Sequence, residues 1–184
     1  MKRGLSLLLS AILCSASIIA GAADNKVLNE IVIGETVIDD YLQSLDKKGC
    51  QYGTKNWAAG LTAYSVSSVC YNLPKLESVN VIPGLDKKVI FVEIVYHKDI
   101  AGKTFMTYFD ALKKNYGSPV SEKIPFVGSK RVEFKAGNFS ILLNEAHFEP
   151  TGIVLFMPAK IWDQTKQKEA EQKANDKKDL ETLL

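Results

Sequence analysis

The chain has 184 residues, of which 46% are hydrophobic and 24% are charged. This composition is typical of a globular protein of about one domain, and it excludes a wholly disordered chain or one with many membrane spans. The formal net charge is +2, and setting aside Lys2 and Arg3 leaves 21 basic and 21 acidic residues. A neutral chain has no overall attraction to phosphate backbones, so we expect no nucleic-acid partner.

The first 23 residues have the pattern of a secretory signal peptide. Two basic residues are followed by an apolar run that ends at Ile19, and Ala20-Gly21-Ala22-Ala23 supplies small residues for cleavage after Ala22 or Ala23. The apolar run is shorter than the roughly 20 residues that cross a bilayer. The leucine before Cys14 does not fit a lipoprotein signal. We therefore expect a periplasmic mature protein with no transmembrane segment after cleavage.

Cys50 and Cys70 are the cysteines that follow the signal segment. An even pair in an oxidising compartment predicts one disulfide. The bond would enclose 19 residues, and loop-closure entropy for such a loop is worth about 3 kcal/mol. A metal site or a catalytic thiol fits less well, because there is no CxxC motif and no histidine near either cysteine.

The rest of the chain alternates between helical and strand patterns. Apolar residues at helical spacing predict two helices, at about Thr36–Gly49 and Lys103–Tyr116, and each ends at a glycine. Alternating apolar and polar residues predict the strands, which fall at 50–75 (irregular and held by the disulfide), 76–96, 131–144 and 153–157.

Composition changes abruptly after Pro158. Residues 159–184 contain six lysines and six acidic residues but no glycine or proline, which predicts a charged helix. A solvated helical tail is the simpler interpretation, and a segment that docks on a partner is the alternative. The predicted organisation is a signal peptide at 1–23, a single α+β domain at 24–158 and a charged helical tail at 159–184.

Short turns join the predicted strands, so we expect an α+β fold in which an antiparallel sheet packs against two helices, with the charged helix at the C-terminus. The two helices have similar basic ends, at Lys47-Lys48-Gly49 and at Lys113-Lys114. Each helix is followed by hairpin-like sequence. This pattern is consistent with two related helix-plus-strands units.

Two short motifs mark the ends of helices. Ile33-Gly34-Glu35-Thr36 opens the first helix, and Tyr116-Gly117-Ser118-Pro119 closes the second. In these motifs the chain resembles small bacterial envelope proteins of the SmpA/OmlA type and the related β-lactamase-inhibitor-like fold. The resemblance implies a non-enzymatic binding or assembly role on a helix-backed antiparallel sheet. The chain departs from the lipoprotein members because it has no lipoprotein signal.

The sequence offers few groups for catalysis. It contains no nucleotide-binding, zinc-protease or serine-hydrolase motif, and we expect no cofactor. Glu145, His147 and Glu149 would share one face of a strand and could hold a divalent metal, but the polar face of an edge strand has the same pattern and is preferred. His97 and Asp99 could perform acid–base chemistry, although a loop would leave both solvated.

Four aromatic residues, Tyr52, Trp57, Tyr64 and Tyr71, lie near the cysteines in sequence. They could line a binding surface, because aromatic side chains contribute strongly to binding energy. They could equally cover the disulfide as part of the core, and this interpretation is preferred.

Together these patterns predict an exported periplasmic, non-enzymatic binding or accessory protein of the bacterial cell envelope. Its partner would be another envelope protein or a small ligand. The alternatives are a secreted inhibitor of an enzyme and a small hydrolase that uses His97 or His147. The oligomeric state and the identity of the partner stay open.

Overall fold

The computed structural model describes residues 26–28, 30–57 and 60–183. The predicted signal peptide and its cleavage sites lie outside these residues. Within these ranges, no helix combines the length and the hydropathy that crossing a bilayer requires.

The described residues form three α-helices, a small hairpin and one large sheet. The hairpin comprises β1 (Lys26–Val27) and β2 (Ile31–Val32), and the helices are α1 (Ile38–Lys47), α2 (Lys103–Tyr116) and α3 (Ala159–Leu183). The strands of the large sheet are β3 (Tyr52–Asn56), β4 (Thr62–Ser67), β5 (Leu76–Pro83), β6 (Val89–His97), β7 (Ser121–Lys123), β8 (Lys130–Ala136), β9 (Phe139–Glu145) and β10 (Thr151–Pro158).

The eight strands of the large sheet lie in the order β3-β4-β5-β6-β10-β9-β8-β7, and all neighbours are antiparallel. Strands β3 to β6 form one meander and β7 to β10 form another. The last strands of the two meanders, β6 and β10, pair at the centre, where Val95 lies opposite Ile153 and Val92 lies opposite Phe156.

The predicted fold class is wrong. We expected an α+β fold in which an antiparallel sheet packs against two helices, with a pattern consistent with two related helix-plus-strands units. Strands dominate instead, and eight of the ten described strands belong to one continuous sheet. The physical reason is the pairing of β6 with β10, which come from opposite halves of the chain. Periodicity reports only local structure, so it carries no signal for this long-range contact.

The two predicted helices are confirmed, and both cover the same face of the sheet, which we call the helix face. Ile38, Tyr41 and Leu45 of α1 are buried, and they belong to the same core cluster as Phe105 of α2 and Val92 of β6. Two acidic residues in the first turn of α1 interact favourably with the positive end of the helix dipole. Burial of this apolar stripe is the main reason that α1 and α2 are stable.

The tail is helical, as predicted, and its first turns pack on the opposite face of the sheet. Trp162 is buried, and the Arg131 guanidinium lies 5.2 Å from the centre of its ring. Lys166 forms an ion pair with Glu133, whose side chain is almost fully buried. The start of α3 is therefore anchored to the domain by both apolar and charged contacts.

Candidate functional site

Cys50 and Cys70 form a disulfide in the structure, with their Cα atoms 5.7 Å apart. This separation lies within the usual range for the bond. Cys50 follows α1 and Cys70 ends the short 3-10 turn Ser68–Cys70, so the bond ties the end of the helix to the segment after β4. Both cysteines pack against the core of the helix face. The structure is consistent with the predicted disulfide and with a structural role.

The four aromatic residues near the disulfide do not share one surface. Tyr52 is exposed, and its hydroxyl lies 3.5 Å from a carboxylate of α1. Tyr64 and Tyr71 pack on the helix face, and burial raises the pKa of Tyr71. Trp57 lies on the other face, where its ring centre is 5.0 Å from that of Phe91. Three of the four therefore contribute mainly to packing.

Glu145, His147 and Glu149 do not share a strand face, because β9 ends at Glu145. Glu145 is buried, whereas His147 and Glu149 are exposed in the following loop. Across the described part of the chain, no group of three or more His, Cys, Asp or Glu side chains is arranged to hold a metal ion.

His97 and Asp99 make separate contacts. Nδ1 of His97 lies 3.7 Å from Oε2 of Glu77 at an exposed position. The carboxylate of Asp99 accepts hydrogen bonds from the main-chain N–H groups of Lys103 and Thr104, the first residues of α2. Hydrogen bonds from Thr104 lower the pKa of Asp99 to about 2. Asp99 therefore acts as a charged cap at the helix N-terminus.

Three loops meet at one end of the large sheet, and we call this group the loop end. They are residues 98–102 after β6, residues 124–129 before β8 and residues 146–150 before β10. His97 lies opposite Thr151, and Glu145 lies opposite Lys130. The strand order therefore brings together loops that are far apart in sequence.

Hydrogen bonds hold the three loops to one another. Nζ of Lys98 donates to the main-chain carbonyls of Ala146 and Glu149, both at 2.7 Å, and of His147 at 3.3 Å. The main-chain N–H of His147 donates to Oγ of Ser129 at 3.1 Å. Because the loops are fixed before a partner arrives, less conformational entropy is lost on binding.

Large apolar side chains project from these fixed loops into solvent. Ile100, Phe126 and Phe148 are 109%, 102% and 93% exposed, and Val127 is 69% exposed. Single exposed apolar residues are ordinary, but a group on one part of the surface marks an interaction site. The loop end is therefore the strongest candidate site among the described residues.

A pocket of about 670 Å³ opens between loops 98–102 and 124–129. Its lining is more apolar than polar, and Lys130 contributes the charged side chain. A volume in this range is typical of ligand pockets, which combine apolar walls with a few polar groups. The apolar wall residues are Ile100, Ala101, Met106, Ile124, Pro125 and Phe126.

A buried polar group lies behind this pocket. Nζ of Lys130 is 3.3 Å from Oε2 of Glu145, and Tyr96 donates from its hydroxyl to Oε1 of the same carboxylate at 3.3 Å. The Lys130 and Glu145 side chains are 19% and 5% exposed. Burial, and then the Glu145 carboxylate, raise the pKa of Tyr96, which keeps its hydroxyl a donor. Gly102 leaves room for the ammonium, because a Cβ there would lie 2.8 Å from Nζ.

The loop end was not predicted from the sequence. The available signal was an apolar residue inside a turn: Ile100 precedes Ala101-Gly102, Phe126-Val127 precedes Gly128, and Phe148 precedes Glu149-Pro150. Each of these segments taken alone is an ordinary turn.

Comparison with known proteins gives little guidance on function. No protein-family model matches the chain, and no curated protein matches it. The chain is similar to a solved structure of a DUF4309 family protein, YjgB, from Bacillus subtilis subsp. subtilis str. 168. The two are 10% identical with a TM-score of 0.42, over 70% of this chain and 82% of that chain. A similarity of this size carries no argument about what the present protein does.

Proposed function

We propose that the protein is an exported, non-enzymatic binding protein of the bacterial cell envelope and that the loop end holds its partner. The observation that carries the proposal is the group of exposed apolar side chains on three loops that hydrogen bonds from Lys98 and from the main-chain N–H of His147 hold to one another. Removing such side chains from water lowers the free energy of the complex with a partner.

Two features of the sequence support the envelope location. The first 23 residues have the pattern of an export signal, and a disulfide suits an oxidising compartment. The resemblance of two short motifs to SmpA/OmlA-type proteins implies a role in binding or assembly. A secreted inhibitor of an enzyme is one form that such a binding protein could take.

The positions of the histidines favour binding over hydrolysis. His97 and His147, on which a hydrolase would depend, are exposed on the surface. The ring of His147 packs against that of Phe148, with centroids 4.5 Å apart. Neither histidine lines the loop-end pocket.

Chemical cross-linking in the native envelope tests the role of the loop end. The test variant combines Ile100→Ser with Phe126→Ser, and the matched control is Leu85→Ser. Leu85 is 102% exposed in the turn at the opposite end of the sheet. Partners identified by mass spectrometry should be lost from the test variant and kept by the control, while circular dichroism shows both folded. Equal sets of partners in both variants would overturn the proposal.

The intact mass of the protein from a periplasmic fraction tests export. The protein should begin at Ala23 or Asp24, because either cut leaves small residues before it. A protein that retains the N-terminal segment and stays in the cytoplasmic fraction would contradict the location.

A further inference from the structure

We propose that the loop-end pocket takes an uncharged apolar segment of a partner protein, with one main-chain carbonyl of that segment accepting a hydrogen bond from Lys130. This inference rests on the proposed function, because it names the chemistry of the partner that the loop end would hold.

The charge balance of the pocket disfavours an acidic ligand. Glu145 already compensates the charge of Lys130, and the Glu145 side chain is only 5% exposed. A ligand carboxylate bound to Lys130 would place a second anion beside Glu145 in a poorly solvated site, where like charges repel strongly. An uncharged acceptor leaves the balance unchanged.

Lys130 still has hydrogen-bonding capacity to offer such an acceptor. Its ammonium group has three N–H donors, and within the described residues it makes one hydrogen bond, to Glu145. The ammonium also lies over the ring of Phe105, 5.1 Å from its centre. Carbonyl groups are available in every peptide segment. The neighbouring Lys98 already binds three carbonyls of this chain, so the same chemistry occurs at the loop end.

A charged residue beside one of the apolar tips disfavours a lipid bilayer as the occupant. Glu149 follows Phe148 and is exposed. Insertion of the Phe148 tip into hydrocarbon would bring the Glu149 carboxylate to the anionic headgroups or below them, which is costly. A protein partner can cover the apolar tips and leave this carboxylate in water at the rim of the interface.

Selection from a phage library of random 12-residue peptides tests this chemistry. Purified full-length mature protein is the bait, and phage that bind the Ile100→Ser/Phe126→Ser variant are removed first. Enriched peptides should share an uncharged apolar run. A synthetic peptide with that run should bind the Phe126→Ser variant at least about tenfold more weakly, and it should bind the Leu85→Ser control as it binds the unchanged protein.

A double variant tests the role of Lys130 without leaving a buried charge unpaired. Lys130→Met with Glu145→Gln keeps the site neutral and removes the donor, so peptide affinity should fall about fivefold to tenfold. Replacing the amides of the peptide by esters, one at a time, weakens each carbonyl acceptor in turn. The ester at one position should reduce peptide binding to the unchanged protein. The same ester should have no effect on binding to the double variant.

The possible results separate this inference from the proposed function. Enrichment of acidic peptides, or binding to vesicles of phosphatidylethanolamine and phosphatidylglycerol that Phe126→Ser abolishes, would overturn the inference in favour of an anion or a lipid surface. Failure to enrich any peptide would also overturn it. In all three cases the proposed function stands if cross-linking still shows partners that depend on the loop end. It fails if those partners are unaffected.

Discussion

Gly152→Ala should destabilise the protein, although alanine is usually the better strand residue. Gly152 lies opposite Tyr96 in the central β6–β10 pair. A Cβ on Gly152 would overlap Cζ of Tyr96 and lie 2.7 Å from its Cε2. The Tyr96 ring cannot move aside easily, because it is fully buried, stacks on Tyr108 with centroids 4.4 Å apart and donates from its hydroxyl to Glu145.

The expected loss follows from this overlap. Overpacking a core costs roughly 1–3 kcal/mol of unfolding free energy. Because the Tyr96 ring is held on several sides, we expect a loss near the upper end, about 3 kcal/mol. In a chain of this length that loss lowers the Tm by roughly 6–12 °C. Urea denaturation followed by circular dichroism measures the free energy. Gly53→Ala on the edge strand β3 is the control, because its Cβ would meet no atom within 4 Å, so its effect should be below about 0.5 kcal/mol or stabilising.

A double-mutant cycle with Tyr96→Leu isolates the contact. Leucine removes the outer ring atoms, so adding Gly152→Ala to Tyr96→Leu should cost less than about 0.5 kcal/mol, which gives a coupling of roughly 2–3 kcal/mol. Additive effects of the two changes, or equal stability of Gly152→Ala and Gly53→Ala, would refute the reasoning.

Replacing Cys50 and Cys70 by serine should lower the unfolding free energy by about 2–4 kcal/mol, and a free thiol in the denatured, unreduced mature protein, which lacks Cys14, would contradict the disulfide. Asp99→Ala should cost about 1 kcal/mol at pH 7. Because folding lowers the pKa of Asp99 to about 2, the capping contribution is present above the unfolded pKa near 4 and lost as the pH falls toward 2. The melting curves of variant and unchanged protein should therefore converge in acid. Truncation after Lys166 should shift the Tm by less than about 2 °C. Truncation after Trp162 should shift it further, because it removes Lys166 from the buried Glu133.

The elements with local signals could be predicted from the sequence. Helices α1 and α2 each combine an apolar stripe with a glycine stop, and the β8–β9 hairpin has alternating side chains around a tight turn. Strand β3 could not be predicted in the same way. All five of its residues are exposed, so no face is buried and no alternation appears.

The arrangement of the elements depends on long-range contacts that leave no local pattern in the sequence. Which strands meet at the centre of the sheet is decided by packing over the whole domain. The loop end shows the same limit, because its three loops become neighbours only through the order β6-β10-β9-β8. The predicted aromatic group failed to form one surface for a related reason, since Trp57 and Tyr71 lie on opposite faces.

The strand that completes the large sheet is also the last strand among the described residues. Strand β10 fills the gap between β6 and β9, so a chain that ends before residue 151 presents β6 with one edge unpaired. Most residues of β6 are apolar, and an exposed apolar edge readily pairs with another molecule and nucleates aggregates. The edge of β6 therefore stays unpaired until β10 has been made, and truncations that remove β10 should accumulate as insoluble protein.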